Sequence, residues 1–376
     1  MISPSFFFQL LNENHVEFYT GVPDSLLKEI CGYITDNTTA RDHIIAANEG
    51  NAIGIAVGYH LATGKIPLVY MQNSGIGNAV NPLLSLVDEK IYSIPVLMVI
   101  GWRGEPGVTD EPQHLKQGEV TPDLFKAMKI PYDILSTNES EVDLQIKKAI
   151  RYLQENNAPY AILIKSGTFE KYPMRERIQV PYTLYREDAI KIIVKQLVGD
   201  EVIISTTGKT SRELFEFRAA LNQSHDNDFL TVGSMGHSSQ IALGIALQKP
   251  KRKIICIDGD GALLMHMGGL STIGNLAPAN FLHIVINNGA HESVGGQPTV
   301  GFIIDIPKIA LANNYRKAFS VENGSELIEA LSKVSDDDGP ILIEIKVNLG
   351  SRKDLGRPTI KPVDNKISFM KNLEKK

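Results

Sequence analysis

Cysteine is scarce in this chain: only Cys31 and Cys256 occur in 376 residues. Two cysteines so far apart supply neither a disulfide framework nor a paired-cysteine zinc motif, and a reducing cytoplasm is the compartment expected. Basic runs are missing too. With a formal charge of −5, the chain has no positive field for nucleic acid and no Lys/Arg-rich stretch for a membrane surface. Long apolar runs are absent as well. Ile94 to Ile100 falls far short of the roughly 20 residues that cross a bilayer. Met1 to Leu11, despite Phe6-Phe7-Phe8, lacks a basic leader and a small-residue cleavage pattern. No targeting or membrane segment is expected, and small molecules are the expected partners.

What the chain does contain is a steady alternation of short apolar runs and helical patterns. In the first half the runs are Val16 to Tyr19, Ile44 to Ala46, Leu68 to Met71, Pro95 to Ile100, Tyr132 to Leu135 and Ala161 to Ile164, with helices expected over Glu49 to Ala62 and Asn78 to Val87. In the second half they are Val202 to Ile204, Phe229 to Val232, Ile254 to Ile257, Leu282 to Ile286 and Ile341 to Ile345. Apolar strands joined by helices form parallel sheets covered on both faces. The expectation is therefore an α/β protein of two doubly wound parallel-sheet domains. A polar, irregular stretch divides them, giving a first domain over 1–170, a linker over 171–185 and a second domain over 186–376. The tail after Asn348 is polar and basic, with little sign of a further strand.

The strongest chemical signal is Gly259-Asp260-Gly261, followed after residues 262 to 286 by Asn287-Asn288. Both ends follow apolar runs, so Asp260 and Asn287 would project from neighbouring strands. A carboxylate, an amide oxygen and a carbonyl such as that of Gly289 are the hard oxygen ligands Mg²⁺ takes, with water and two diphosphate oxygens completing an octahedron. Glycines 259 and 261 and the adjoining Ala262 let main-chain N–H groups approach phosphate closely. Thr206-Thr207-Gly208-Lys209-Thr210 follows another strand and opens a helix, a second place for an anion.

The segment from Gly259 to Asn288 resembles the cofactor signature of thiamin diphosphate enzymes. In that family a glutamate near the start of the other cofactor domain shares a proton with the aminopyrimidine ring, and the matching segment here is Ala46-Ala47-Asn48-Glu49-Gly50-Asn51-Ala52. The resemblance makes Glu49 the catalytic acid. It gives Met235, within Val232-Gly233-Ser234-Met235-Gly236, the part of the apolar wedge beneath the cofactor, and the Gly233 carbonyl that of acceptor for the 4′-amine. Thr207 and Gly208 would join in cofactor binding.

The order of the halves, glutamate first and metal second, is that of the pyruvate decarboxylase branch. Most members of that branch carry a third domain between the two, for which the linker leaves no room. Absence of cysteine clusters argues against a ferredoxin-linked member. Four segments, Gly21-Val22-Pro23-Asp24-Ser25, Asn73-Ser74-Gly75-Ile76-Gly77-Asn78, Asp110-Glu111-Pro112-Gln113-His114 and Gly289-Ala290-His291-Glu292-Ser293-Val294-Gly295-Gly296-Gln297, look like those of the two-domain decarboxylases of phosphonate-bearing 2-oxo acids. The resemblance implies 3-phosphonopyruvate as substrate, phosphonoacetaldehyde and CO₂ as products, and a place in phosphonate biosynthesis; the sister activity on sulfopyruvate is the alternative. The pocket would draw on Asp24, Ser25, Asn73, Ser74, Gly75, Arg103 and Lys209, and either His114 or His291 would deliver the proton. In the family one cofactor spans two subunits, so self-association is implied, with dimer and tetramer both open. A different class, the NAD-dependent dehydrogenases, is suggested by Gly75-Ile76-Gly77-Asn78-Ala79-Val80, but Val80 replaces the third glycine of the dinucleotide fingerprint.

Overall fold

The computed structural model describes residues 1–175, 179–334 and 338–374. It divides into two compact units, Met1–Arg177 with Ser293–Gln297, and Ile178–Glu292 with Pro298–Lys376. Residues 176–178 of the expected linker lie outside the described residues.

In the first unit the order is α1 (Pro4–Glu13), β1 (Tyr19–Gly21), α2 (Lys28–Asn37), β2 (His43–Ile45), α3 (Glu49–Thr63), β3 (Leu68–Gln72), α4 (Ile76–Ser85), β4 (Leu97–Gly101), α5 (Pro112–Met128), β5 (Tyr132–Ile134), α6 (Glu139–Asn156) and β6 (Tyr160–Ile164). All strand pairs are parallel, in the order β2-β1-β3-β4-β6-β5. The period of two sorts the apolar side chains. Tyr70, Leu97, Val99 and Ile162 pack with α1, α2 and α6, while Val69, Met71, Met98, Ile100 and Leu163 pack with α3, α4 and α5. Helix α3 starts where Asn48 accepts the Asn51 N–H at 2.9 Å and stops at Gly64, whose φ of 70° is left-handed.

The second unit repeats the plan with α7 (Arg186–Lys195), β7 (Val202–Ser205), α8 (Lys209–Ala220), β8 (Asp228–Leu230), α9 (Ser238–Gln248), β9 (Ile254–Gly259), α10 (Asp260–Met265), α11 (Gly269–Leu276), β10 (Phe281–Asn287), α12 (Ile306–Ala312), β11 (Lys317–Val321), α13 (Gly324–Ser332), β12 (Ile341–Lys346) and α14 (Pro362–Leu373). Its parallel sheet runs β11-β12-β10-β9-β7-β8. One face, with Ile203, Ile255, Ile284 and Ile343, meets α7, α8 and α13; the other, with Ile204, Cys256, Val285 and Leu342, meets α9, α11 and α12. Both sheets are thus doubly wound, as the alternation of apolar runs requires.

Two elements go beyond the apolar runs. Strand β11 lies at the sheet edge, and of its residues only Val321 is buried, which is why KAFSV carries little apolar signal. The polar tail is closed by helix α14. Phe369 joins the core, and Asn365 binds β8 by accepting the Leu230 N–H at 3.1 Å and donating to the Asp228 carbonyl at 2.8 Å.

Candidate active site

In parallel sheets the loops that leave the strand carboxyl ends collect along one edge, where α/β proteins bind their ligands. Every residue singled out for chemistry lies in such a loop, at the last position of the strand before it, as Gly259 and Asn287 do, or in the first turn of the helix that follows.

In the first unit, Glu49 opens α3 and is 5% exposed. Its Oε2 accepts from Asn78 Nδ2 of α4 at 2.7 Å. A methyl group on Gly75 would lie 2.6 Å from the Glu49 carboxyl carbon, so only glycine lets the β3–α4 turn pass this close. Asp24, after β1, is fully buried and accepts from Gln72 Nε2 at 2.5 Å and from the Leu26 N–H at 2.9 Å. Burial raises its pKa against these hydrogen bonds. Ser74 donates to Gln72 Oε1 at 2.7 Å, which joins the β3 turn to Asp24.

Arg103, after β4, grips Asp110 through Nε and Nη2 and donates from Nη1 to Ser25 Oγ at 2.7 Å. The guanidinium holds the Asp110 carboxyl well below the usual carboxylate range. Asn73 braces the same loop: Nδ2 donates to the Arg103 carbonyl and to Thr121 Oγ1, both at 2.9 Å, and Oδ1 accepts the Arg103 N–H at 3.2 Å. His114 lies in the first turn of α5. Burial and the nearby Arg103 charge lower its pKa, and its buried Nδ1 has no hydrogen-bond partner among the described residues.

The second unit holds the other residues singled out from sequence. Asp260, after β9, is 3% exposed, and burial raises its pKa to about 6 against the hydrogen bond donated by Thr299. The leading influences against that burial are hydrogen bonds, from Thr299 and from backbone N–H groups. At the end of β10 Asn287 is fully buried; its Oδ1 accepts the Gly289 N–H at 3.0 Å. A methyl group on Gly301 would lie 2.6 Å from Asn287 Oδ1 and 2.8 Å from Asp260 Oδ2, so the two oxygens converge on one small region. A desolvated carboxyl joined by an amide oxygen fits a hard divalent ion.

An anion fits the β7–α8 turn. Gly208 there has a φ of 92° and open space where a side chain would stand. The Thr207 hydroxyl is committed to the Val232 carbonyl at 2.8 Å, whereas the buried Oγ1 of the adjoining Thr206 has no partner among the described residues. That orphaned hydroxyl, with the first N–H groups of the 12-residue helix α8, is a cradle a phosphate oxygen would satisfy.

Between β8 and α9, Met235 is half-buried and belongs to neither core cluster of this unit. A methyl group on Gly261 would come within 3.4 Å of Met235 Cε and 3.3 Å of the His291 ring, which places thioether, glycine turn and imidazole side by side. His291 keeps part of its surface open but is densely surrounded, and burial lowers its pKa to about 4. The ring is neutral at neutral pH.

Lys209, at the start of α8, is ion-paired with Glu292 at 2.8 Å. Glu292 also accepts from Arg186 Nη1 at 2.9 Å and from Asn288 Nδ2 at 3.1 Å, while Arg186 holds Glu213 at 2.8 Å. Both cations expected to meet a substrate anion, Arg103 and Lys209, therefore carry a carboxylate already. Thr299, Gly301 and Glu344 reach these groups without having been singled out from sequence, and Asn78 and Thr206 were named there only as part of their segments.

Fold and half-sites together define a thiamine pyrophosphate enzyme. Residues 5–127 match the model of the thiamine pyrophosphate enzyme N-terminal TPP binding domain, and residues 206–345 match that of the C-terminal TPP binding domain. The phosphonopyruvate decarboxylase of Streptomyces viridochromogenes is 33% identical over 92% of this chain and 88% of its own length. That of Streptomyces hygroscopicus is 33% identical over 96% and 92%, and the sulfopyruvate decarboxylase of Methanosarcina acetivorans 28% identical over 86% of each. The chain belongs to the phosphonopyruvate decarboxylase family.

Proposed function

We propose that the protein decarboxylates 3-phosphonopyruvate to phosphonoacetaldehyde and CO₂, using thiamin diphosphate and Mg²⁺. The observation that carries the substrate is the match, 33% identical over more than nine-tenths of the chain, to two phosphonopyruvate decarboxylases. The lower identity of 28% to a sulfopyruvate decarboxylase makes sulfopyruvate the second reading.

Bound thiamin diphosphate supplies an electron sink for the pair released as CO₂ leaves. The residues of this chain do the rest. Glu49, with one oxygen occupied by Asn78, holds a proton at the pyrimidine ring nitrogen. Asp260, Asn287 Oδ1 and the Gly289 carbonyl hold Mg²⁺. The turns at Gly259, Gly261 and Ala262 and at Thr206, Thr207 and Gly208 receive the diphosphate. Met235 would pack against the cofactor, and the Gly233 carbonyl would accept from its amine. His291, neutral and beside Gly261, relays the proton that replaces CO₂, with His114 as the other carrier.

The substrate brings a carboxylate and a phosphonate. Arg103 commits three of its five N–H groups to Asp110 and Ser25, which leaves two for the phosphonate in a fixed fork. Asp24, Ser25, Ser74 and Gly75 line the same edge; Asn73 holds the Arg103 loop in place. Lys209 reaches the phosphonate by exchanging Glu292 for it. Because Glu49 and Asp260 lie in different units, and the family completes its site between subunits, a homodimer is the smallest working assembly. No helix among the described residues is long and apolar enough to cross a membrane. The two cysteines, buried and unpaired, support a reducing cytoplasm.

The test is CO₂ release with thiamin diphosphate and Mg²⁺, comparing phosphonopyruvate, sulfopyruvate and pyruvate at equal concentration. A preference for phosphonopyruvate is expected. Preference for sulfopyruvate would transfer the chain to the sister activity, and no turnover of any of the three would reject the substrate.

A further inference from the structure

We propose that Glu344 is a positioning residue of the metal centre: it takes one amide hydrogen of Asn287 and thereby fixes which end of that amide faces Asp260. The inference rests on the reading of Asp260, Asn287 and the Gly289 carbonyl as the ligands that hold Mg²⁺. An asparagine amide has an oxygen at one end and two N–H groups at the other, and only the oxygen can ligate a hard cation. A site built on Asn287 therefore needs something to choose the orientation before the metal arrives.

Three strands make that choice. The β10–β12 register sets Val285 opposite Glu344 and Asn287 opposite Lys346, and Val285 and Leu342 belong to one core cluster. With a period of two, Asn287 and Glu344 rise on that same face. Asn287 Nδ2 donates to Glu344 Oε1 at 2.7 Å and to the Gly301 carbonyl at 2.8 Å. Both amide hydrogens are thus spent away from Asp260, and Oδ1 is left to converge with the Asp260 carboxyl at Gly301.

Glu344 is itself pinned. Ser320 stands directly opposite it in the β11–β12 register and donates to Oε2 at 2.8 Å. The carboxyl is 3% exposed within the strand ILIEIK, between buried Ile343 and Ile345. An apolar residue there would be cheaper to bury, so packing does not account for it. One of its oxygens accepts from Asn287 and the other from Ser320, which is how outer partners hold a ligand that must not turn.

The test is Mn²⁺ binding in the presence of thiamin diphosphate, read by electron paramagnetic resonance on the full chain rather than by turnover. Glu344→Leu should weaken the Kd about 10- to 100-fold. Glu344→Gln should recover most of the affinity, because its amide oxygen can accept from Asn287 while its N–H donates to Ser320. A residue that only braced the sheet would lower the melting temperature and leave the Kd unchanged. Should Glu344→Leu not fold, a reversed pair carries the test. Asn287→Asp alone sets two carboxyls face to face and should bind weakly, and N287D/E344Q, which restores a donor and an acceptor, should bind more tightly than N287D. Wild-type affinity in Glu344→Leu, equal loss in Glu344→Gln and Glu344→Leu, or no recovery in the double variant would overturn the proposal. Asp260→Ala separates the two levels: it should abolish binding whatever Glu344 does, and if it binds normally the metal assignment itself fails.

Discussion

The two units present the same kind of sheet edge and finish it in opposite ways. In the first unit most of the polar groups satisfy one another, Arg103 with Asp110 and Ser25, Asn73 with the Arg103 backbone and Asp24 with Gln72, and the atoms left open among the described residues include the neutral ones Gln113 Oε1 and His114 Nδ1. The second unit leaves a buried carboxyl, Asp260, held by hydrogen bonds alone among the leading influences on it, and, among the described residues, a buried hydroxyl, Thr206, without a partner. Buried polar groups left open raise the free energy of the folded chain until something binds them. Under the proposed function the first edge is preorganised for the substrate, and the second is left open for the metal and the diphosphate.

That contrast can be broken most severely at Glu49. Glu49→Gln keeps the shape and removes the acid, so CO₂ release should fall about 10²- to 10⁴-fold while thiamin diphosphate still binds. Asp260→Ala should come next, through the second edge. Thiamin diphosphate with Mg²⁺ should raise the melting temperature of the wild type by mass action and leave that of the variant nearly unmoved in calorimetry. Gly75→Ala tests how tightly the first edge is packed: its methyl group would meet the Glu49 carboxyl. The cost should be about 1–3 kcal/mol of stability, with a drop in kcat larger than any change in KM.

The smallest effect is expected at Asp110→Asn, which loosens Arg103. The pair is partly open to solvent, so its loss should cost at most about 1 kcal/mol. The sign with pH follows from the depressed carboxyl. Its contribution is present above the pKa of the unfolded carboxyl and is lost as pH falls toward the folded value. The wild type should therefore lose its advantage over Asp110→Asn on acidification, in denaturant titrations at pH 7 and pH 3.

Much of this organisation was legible in the sequence, because buried parallel strands are almost wholly apolar and the glycine turns between them carry their own chemistry. Eleven runs marked strands in the right places, within a few residues at their ends. Strand β11 escaped because an edge strand buries little, and α14 because it docks through asparagines, Asn365 and Asn372, as much as through Phe369. At the sites, residues next to a glycine turn or strand end were visible. Their partners were not: Asn78 on Glu49, Thr299 on Asp260 and Glu344 on Asn287 are brought in by register and by helix placement, which leave no local mark. Nor does adjacency reveal that Thr207 spends its hydroxyl on Val232 while Thr206 keeps its own.

The most direct test of the central claim is CO₂ release from phosphonopyruvate by protein dialysed free of cofactor, measured before and after thiamin diphosphate and Mg²⁺ are added singly and together. Release only when both are present is predicted. Release without either, or none with both, would contradict the assignment of the two half-sites to one thiamin diphosphate-dependent decarboxylase.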